Sequence, residues 1–133
     1  MFGARLGAAF QIRDDLLSVL GRGDAHGKEE LDDIREGKRT LMLLHVLAAA
    51  GAEDRAWLVA YLALDGSRRG SDDVDRVLDL MERHGSIEFA RQFAAGIERA
   101  AITAFEAAFA EVPESAHLAF IRDLVPYMLA RSG

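Results

Sequence analysis

From Ile87 to about Phe109, the residues Ala90, Phe93, Ala94, Ile97, Ala101, Ala104, Phe105 and Ala108 recur at intervals of three and four. That interval follows the turn of an α-helix, about 3.6 residues, and not the two-residue period of a strand. Shorter stretches carry the same signal. Thr40 to Ala50 reads as an apolar helix closed by Gly51. Glu53 to Leu64 reads as another, with Trp57, Leu58, Tyr61 and Leu62 as its buried positions. Ser71-Asp72-Asp73 is a helix start signal, followed by the stripe Val74, Val77, Leu78 and Met81. A last helix is expected from about Ala116 to Ala130, after the break at Val112-Pro113-Glu114-Ser115. No strand pattern, internal repeat, low-complexity segment or linker interrupts these helices, and Pro113 and Pro126 are the only prolines. The chain is expected to be all-α and to form a single domain over residues 1–133.

The first helix, Phe2 to Leu20, has an unusual pattern. Phe2, Leu6, Ala9, Phe10, Ile12, Leu16, Leu17, Val19 and Leu20 cover about two-thirds of its wheel, and a helix so widely apolar expects neighbours on most sides. Gly3, Gly7, Gln11, Asp14, Asp15 and Ser18 make up the remaining stripe, which suits the wall of a cavity better than a solvated face. Between Gly21 and Lys38 the chain is polar and punctuated by glycine, with a short helical turn expected around Glu29 to Ile34.

Charge and composition exclude several functions. A net charge of −6 argues against binding a nucleic-acid backbone, which requires basic surface. The absence of cysteine rules out disulfides, thiolate nucleophiles and zinc–thiolate sites. No apolar run approaches the roughly 20 residues that span a bilayer, and the N-terminal residues lack a signal-peptide pattern. A cytoplasmic location is expected.

The chemistry concentrates early in the chain. Gln11, Asp14 and Ser18 share a helix face by their spacing, with Asp15 at its edge. Magnesium takes few carboxylates and completes its shell with water and phosphate oxygens, a task two neighbouring aspartates suit. Lys28 and Lys38 each follow a glycine, and a compact ammonium group suits a diphosphate oxygen. Read singly, each feature is more often an ordinary solvated charge, and Asp-Asp recurs at Asp32-Asp33 and Asp72-Asp73.

Taken together they are far more specific. Phe10-Gln11-Ile12-Arg13-Asp14-Asp15, then Gly27-Lys28, then Asp33 to Glu36-Gly37-Lys38-Arg39-Thr40 resembles, in order and spacing, the second aspartate-rich region of the trans-polyprenyl diphosphate synthases. This is the farnesyl and geranylgeranyl diphosphate synthase family. The resemblance implies the C-terminal portion of the class I isoprenoid synthase helical bundle. It implies Mg2+ held by Asp14, with Asp15 supporting it through water, and an allylic diphosphate gripped by Lys28 and Lys38. Gln11 would line the site near the reacting carbon, and Asp14, Asp15 and Lys38 would be the catalytic group. The implied reaction is head-to-tail condensation of that allylic diphosphate with isopentenyl diphosphate. Asp33 aligns with an acidic position of the family and receives no catalytic role.

Two departures qualify the implication. The family's DDxxD motif ends here in Ser18, which removes an outer carboxylate. Its first aspartate-rich motif lies upstream of anything in this sequence. The chain is therefore expected to be incomplete and inactive alone, and to pair as a homodimer or with the missing N-terminal half. Phe2, Leu6 and Phe10 would then form an uncovered apolar face. Two other readings compete: a non-catalytic helical partner of a complete synthase, and a plain helical interaction module with solvated acidic pairs. His45 is expected to be packed or half-exposed, with His26, His84 and His117 lacking metal spacing. Phe89, Phe93, Phe105, Phe109 and Phe120 are expected in the core.

Overall fold

A computed structural model describes residues 2–20 and 31–130. The described chain is helical, without strands: α1 (Phe2–Leu20), α2 (Asp32–Glu36), α3 (Leu41–Ala49), α4 (Ala52–Ala63), α5 (Ser71–Arg83), α6 (Ser86–Phe109) and α7 (Ala116–Ala130), with one 3-10 turn at Gly66–Arg68. The all-α expectation holds, and no helix among the described residues is long and apolar enough to cross a membrane. The chain divides into two compact units, residues 15–90 and residues 1–14 with 91–133.

In the unit of residues 15–90, α5 packs against α2, α3 and α4. Its stripe Val74, Val77, Leu78 and Met81 is buried as the spacing predicts, with Leu80 added. Met42, Leu43 and Val46 from α3 and Leu58 and Tyr61 from α4 are buried too, while Trp57 and Leu62 are only half-buried. Each large apolar side chain taken fully from water contributes roughly 1.5–3 kcal/mol. Side chains of this size make the unit's core a deep one. Gly51 does not close α3 through a left-handed turn. It is extended, at φ −64°, and opens α4. Asp73 at the start of α5 accepts from the Gly70 amide at 3.0 Å, satisfying a donor that the helix leaves unpaired.

In the other unit, the first part of α1 lies against α6 and α7. Leu6, Ala9, Ala101 and Val125 form its buried cluster, with Phe2 and Ile97 packed on them. The Phe2 and Phe105 rings sit 5.3 Å apart. Leu6 and Phe2 are thus covered from within the chain, contrary to the expectation of an open face, whereas Phe10 remains exposed. Arg13 and Glu98 form a two-pronged ion pair, one prong at 3.1 Å, and Arg5 donates to the Ala100 carbonyl at 3.1 Å. Of the five phenylalanines expected in the core, Phe105 is buried. Phe89, Phe93 and Phe120 are exposed, Phe120 at 67%. The reason is register. Leu118 and Val125 occupy the inward stripe of α7, two turns apart, which puts Phe120 off it.

Candidate functional site

The letters of Glu36-Gly37-Lys38-Arg39-Thr40 divide into structure and chemistry. Gly37 ends α2 in the left-handed conformation, φ +73°. Its amide donates to the Ile34 carbonyl at 2.9 Å and the Lys38 amide donates to the Asp33 carbonyl at 2.9 Å. These are the paired bonds by which a glycine closes a helix and satisfies its last carbonyls. Thr40 opens α3, its hydroxyl accepting from the Leu43 amide at 3.3 Å. Lys38 therefore stands between two helix caps, on a turn with little freedom.

Its side chain reaches two carboxylates. Nζ lies 2.8 Å from Asp15 Oδ1 and 2.8 Å from Asp33 Oδ2. Asp15 is buried at 7%, and Asp33 and Lys38 are half-buried. Hydrogen bonds that the ammonium donates to Asp15 and then Asp33 hold the lysine's pKa well above its ordinary value, so it is a fixed cation at any physiological pH. Two carboxylates against one ammonium leave this cluster a net negative charge. A diphosphate anion gains attraction here only when a divalent cation comes with it.

The sequence-derived residues fare differently. Asp15 and Lys38 are brought into direct contact. Asp14 and Gln11 lie exposed on α1. Ser18, at the last position of the motif, donates to the Asp15 carbonyl at 2.7 Å, a local bond within its own helix. Lys28, His26 and Gly27 fall outside the described residues. Asp33, given no role from sequence, is one of the two carboxylates that hold Lys38. Its five-residue separation from Lys38 across a glycine turn was the available signal. Lys38 is one of only two lysines in the chain, the other being Lys28.

Two further residues act on this turn from behind. Tyr61 donates its hydroxyl to the Ile34 carbonyl at 2.8 Å. Arg69, 8% exposed, donates to the Arg35 carbonyl at 2.7 Å and to three carbonyls at the end of α4. Nothing in the sequence distinguished Arg69 from its loop neighbours. His45 is half-buried, as expected, with Nδ1 2.9 Å from Ser86 Oγ and its ring stacked on Phe89 at 4.1 Å. No group of three histidine or acidic side chains among the described residues encloses a cation site. Magnesium needs only one or two protein carboxylates, and the exposed Asp14 with Asp15 beside it fits that need.

The family model described as polyprenyl synthetase matches residues 1–81, the segment that carries α1, the Lys38 turn and Arg69. The chain belongs to the polyprenyl synthetase family. It is 35% identical to octaprenyl diphosphate synthase of Haemophilus influenzae over 105 residues, covering 79% of this chain and 31% of that protein. Geranylfarnesyl diphosphate synthase of Natronomonas pharaonis is 30% identical over 131 residues, covering 98% of this chain and 35% of that protein. A crystal structure of a polyprenyl synthase from Roseobacter denitrificans superposes with a TM-score of 0.73 at 32% identity, over 98% of this chain and 40% of that one. The chain thus spans about a third of the length of the curated relatives it matches.

Proposed function

We propose that this chain supplies the lysine-bearing diphosphate site of a magnesium-dependent prenyltransferase, which condenses an allylic diphosphate with isopentenyl diphosphate. The observation that supports it most is the ammonium of Lys38, fixed between Asp15 and Asp33 on a turn capped at both ends. A lysine so held has a defined position before ligand arrives, so little side-chain freedom remains to be lost on binding. Its charge is constant, and it can hold a departing diphosphate without exchanging a proton. Asp14, exposed on α1, would hold Mg2+, with Asp15 supporting it through water while keeping hold of Lys38. Magnesium, when bound, would polarise the diphosphate and stabilise its departure. Gln11 and Lys28 complete the proposed substrate contacts.

Titration calorimetry with pyrophosphate tests this reading. Heat is expected with Mg2+ and little without it, and Asp14→Ala and Lys38→Ala should each weaken binding by about tenfold or more, the range of charge-assisted bonds. Undiminished binding by the Asp14→Ala, Lys38→Ala double variant would show that the site lies elsewhere.

A further inference from the structure

Arg69 has the features of a part built for one purpose. It is 8% exposed, and its guanidinium spans four carbonyls: Nε to Tyr61 at 3.2 Å, Nη1 to Arg35 at 2.7 Å, and Nη2 to Leu62 at 3.1 Å and Leu64 at 2.7 Å. It also lies over the Tyr61 ring, 5.2 Å from its centroid. Three of these carbonyls lie at the C-terminal end of α4 and one in the last turn of α2. Helix C-termini carry unpaired carbonyls and partial negative charge, so one cation bridging two of them is favoured twice over. Only a planar fork of donors can do this, because a lysine ammonium radiates from a single point.

The guanidinium also lies flush against the turn. A Cβ built on Gly37 would stand 2.5 Å from Arg69 Nη1 and 2.8 Å from Cζ. Arg69 therefore backs the left-handed residue immediately before Lys38, while Tyr61 holds the Ile34 carbonyl three residues before it. A small rotation at Gly37 would swing the Lys38 side chain away from the gap between Asp15 and Asp33.

We propose that Arg69 is a positioning residue for Lys38: by joining the ends of α2 and α4 and backing Gly37, it fixes where the diphosphate-binding ammonium stands. This rests on the reading of Lys38 given above and assigns the residue that makes that lysine effective. Tyr61 assists through the Ile34 carbonyl.

The test uses Arg69→Gln, which removes the fork, and Tyr61→Phe, which removes one hydroxyl and keeps the ring. All measurements are made at a temperature where circular dichroism shows each variant fully folded. Two readouts are taken: magnesium pyrophosphate affinity by calorimetry, and the Lys38 ammonium signal in protein labelled with 15N at lysine Nζ, identified by its loss in Lys38→Ala. In the parent protein, an ammonium held by two carboxylates should give a sharp, slowly exchanging signal at neutral pH. Arg69→Gln should broaden or shift it and weaken pyrophosphate binding about fivefold or more, as coupled neighbours do. Tyr61→Phe should act in the same direction but less, and it carries the test by itself if Arg69→Gln does not fold. If Lys38→Ala weakens binding while the folded variants change neither signal nor affinity, Arg69 merely caps helices and the proposal is wrong. If Lys38→Ala leaves binding unchanged, the reading of Lys38 has failed first, and the role of Arg69 in binding falls with it.

Discussion

The two compact units are held together by different means. Residues 15–90 bury large side chains, Met42, Leu58, Leu78, Leu80 and Met81 among them, and bury one polar clamp, Arg69 with its four carbonyls. The other unit buries Leu6, Phe105, Leu118 and Val125 but fills in between them with the alanines Ala9, Ala94 and Ala101, then adds the Arg13–Glu98 pair at its side. Alanine contacts let helices approach closely but remove little apolar surface from water. The difference shows why Lys38 is held so firmly: a turn cannot fix a long side chain by spacing alone and needs a stiff body behind it. Asp14 needs no such support, because a helix already gives it a direction.

The largest effect should come from emptying the deeper core. Leu58→Ala, at a fully buried position, should lower unfolding free energy by about 2–5 kcal/mol in urea titration. A loss under about 1 kcal/mol would mean that this core is no firmer than the alanine-rich one.

Next is the turn itself. Gly37→Ala places a Cβ against Arg69 and demands a left-handed backbone of an L residue. It should cost about 2–4 kcal/mol, combining strained φ with a displaced buried hydrogen-bond donor. The same change at Gly85, also left-handed but with open space around its Cβ, should cost less, on the order of 1 kcal/mol. Equal losses would show that backbone conformation matters and the guanidinium does not.

A smaller effect follows pH. Asp15 and Asp33 raise the pKa of Lys38, so the folded chain holds this proton more tightly than the unfolded chain does. The stabilisation is therefore fully present below the ordinary lysine value of about 10.4 and is lost as pH rises above it. Against Lys38→Met, the difference in unfolding midpoint attributable to the lysine should stay constant between about pH 7 and pH 9 and shrink in strongly alkaline solution. A decline already visible across neutral pH would show that the ammonium is not held by both carboxylates.

The smallest effect belongs to the exposed pair of Arg122 and Glu114, 2.5 Å apart on the surface. Arg122→Ala should leave the melting temperature unchanged within error, since water and salt screen such pairs. Set beside Arg69, it shows that an arginine's contribution depends on burial and on the acceptors its fork can reach.

The helices and the family are legible in the residue pattern alone. Apolar residues at helical spacing specify a helix locally, and α1, α6 and α7 fall within a residue of the expected spans. Of the short helix expected at Glu29 to Ile34, Glu29 and Glu30 lie outside the described residues; Asp32 to Ile34 are helical, and α2 runs on to Glu36 because its end is set by the Gly37 turn rather than by periodicity. Gly37, Lys38 and Thr40 were legible as a motif because helix caps and a charged residue each need a particular side chain at a particular place. Tertiary structure alone decided the rest. It turned Phe93 and Phe120 outward and placed Arg69, 31 positions after Lys38 in the chain, behind the turn. Those outcomes depend on how helix ends meet in space, and a carbonyl left unpaired at the end of one helix leaves no mark in the sequence of the residue that will cap it.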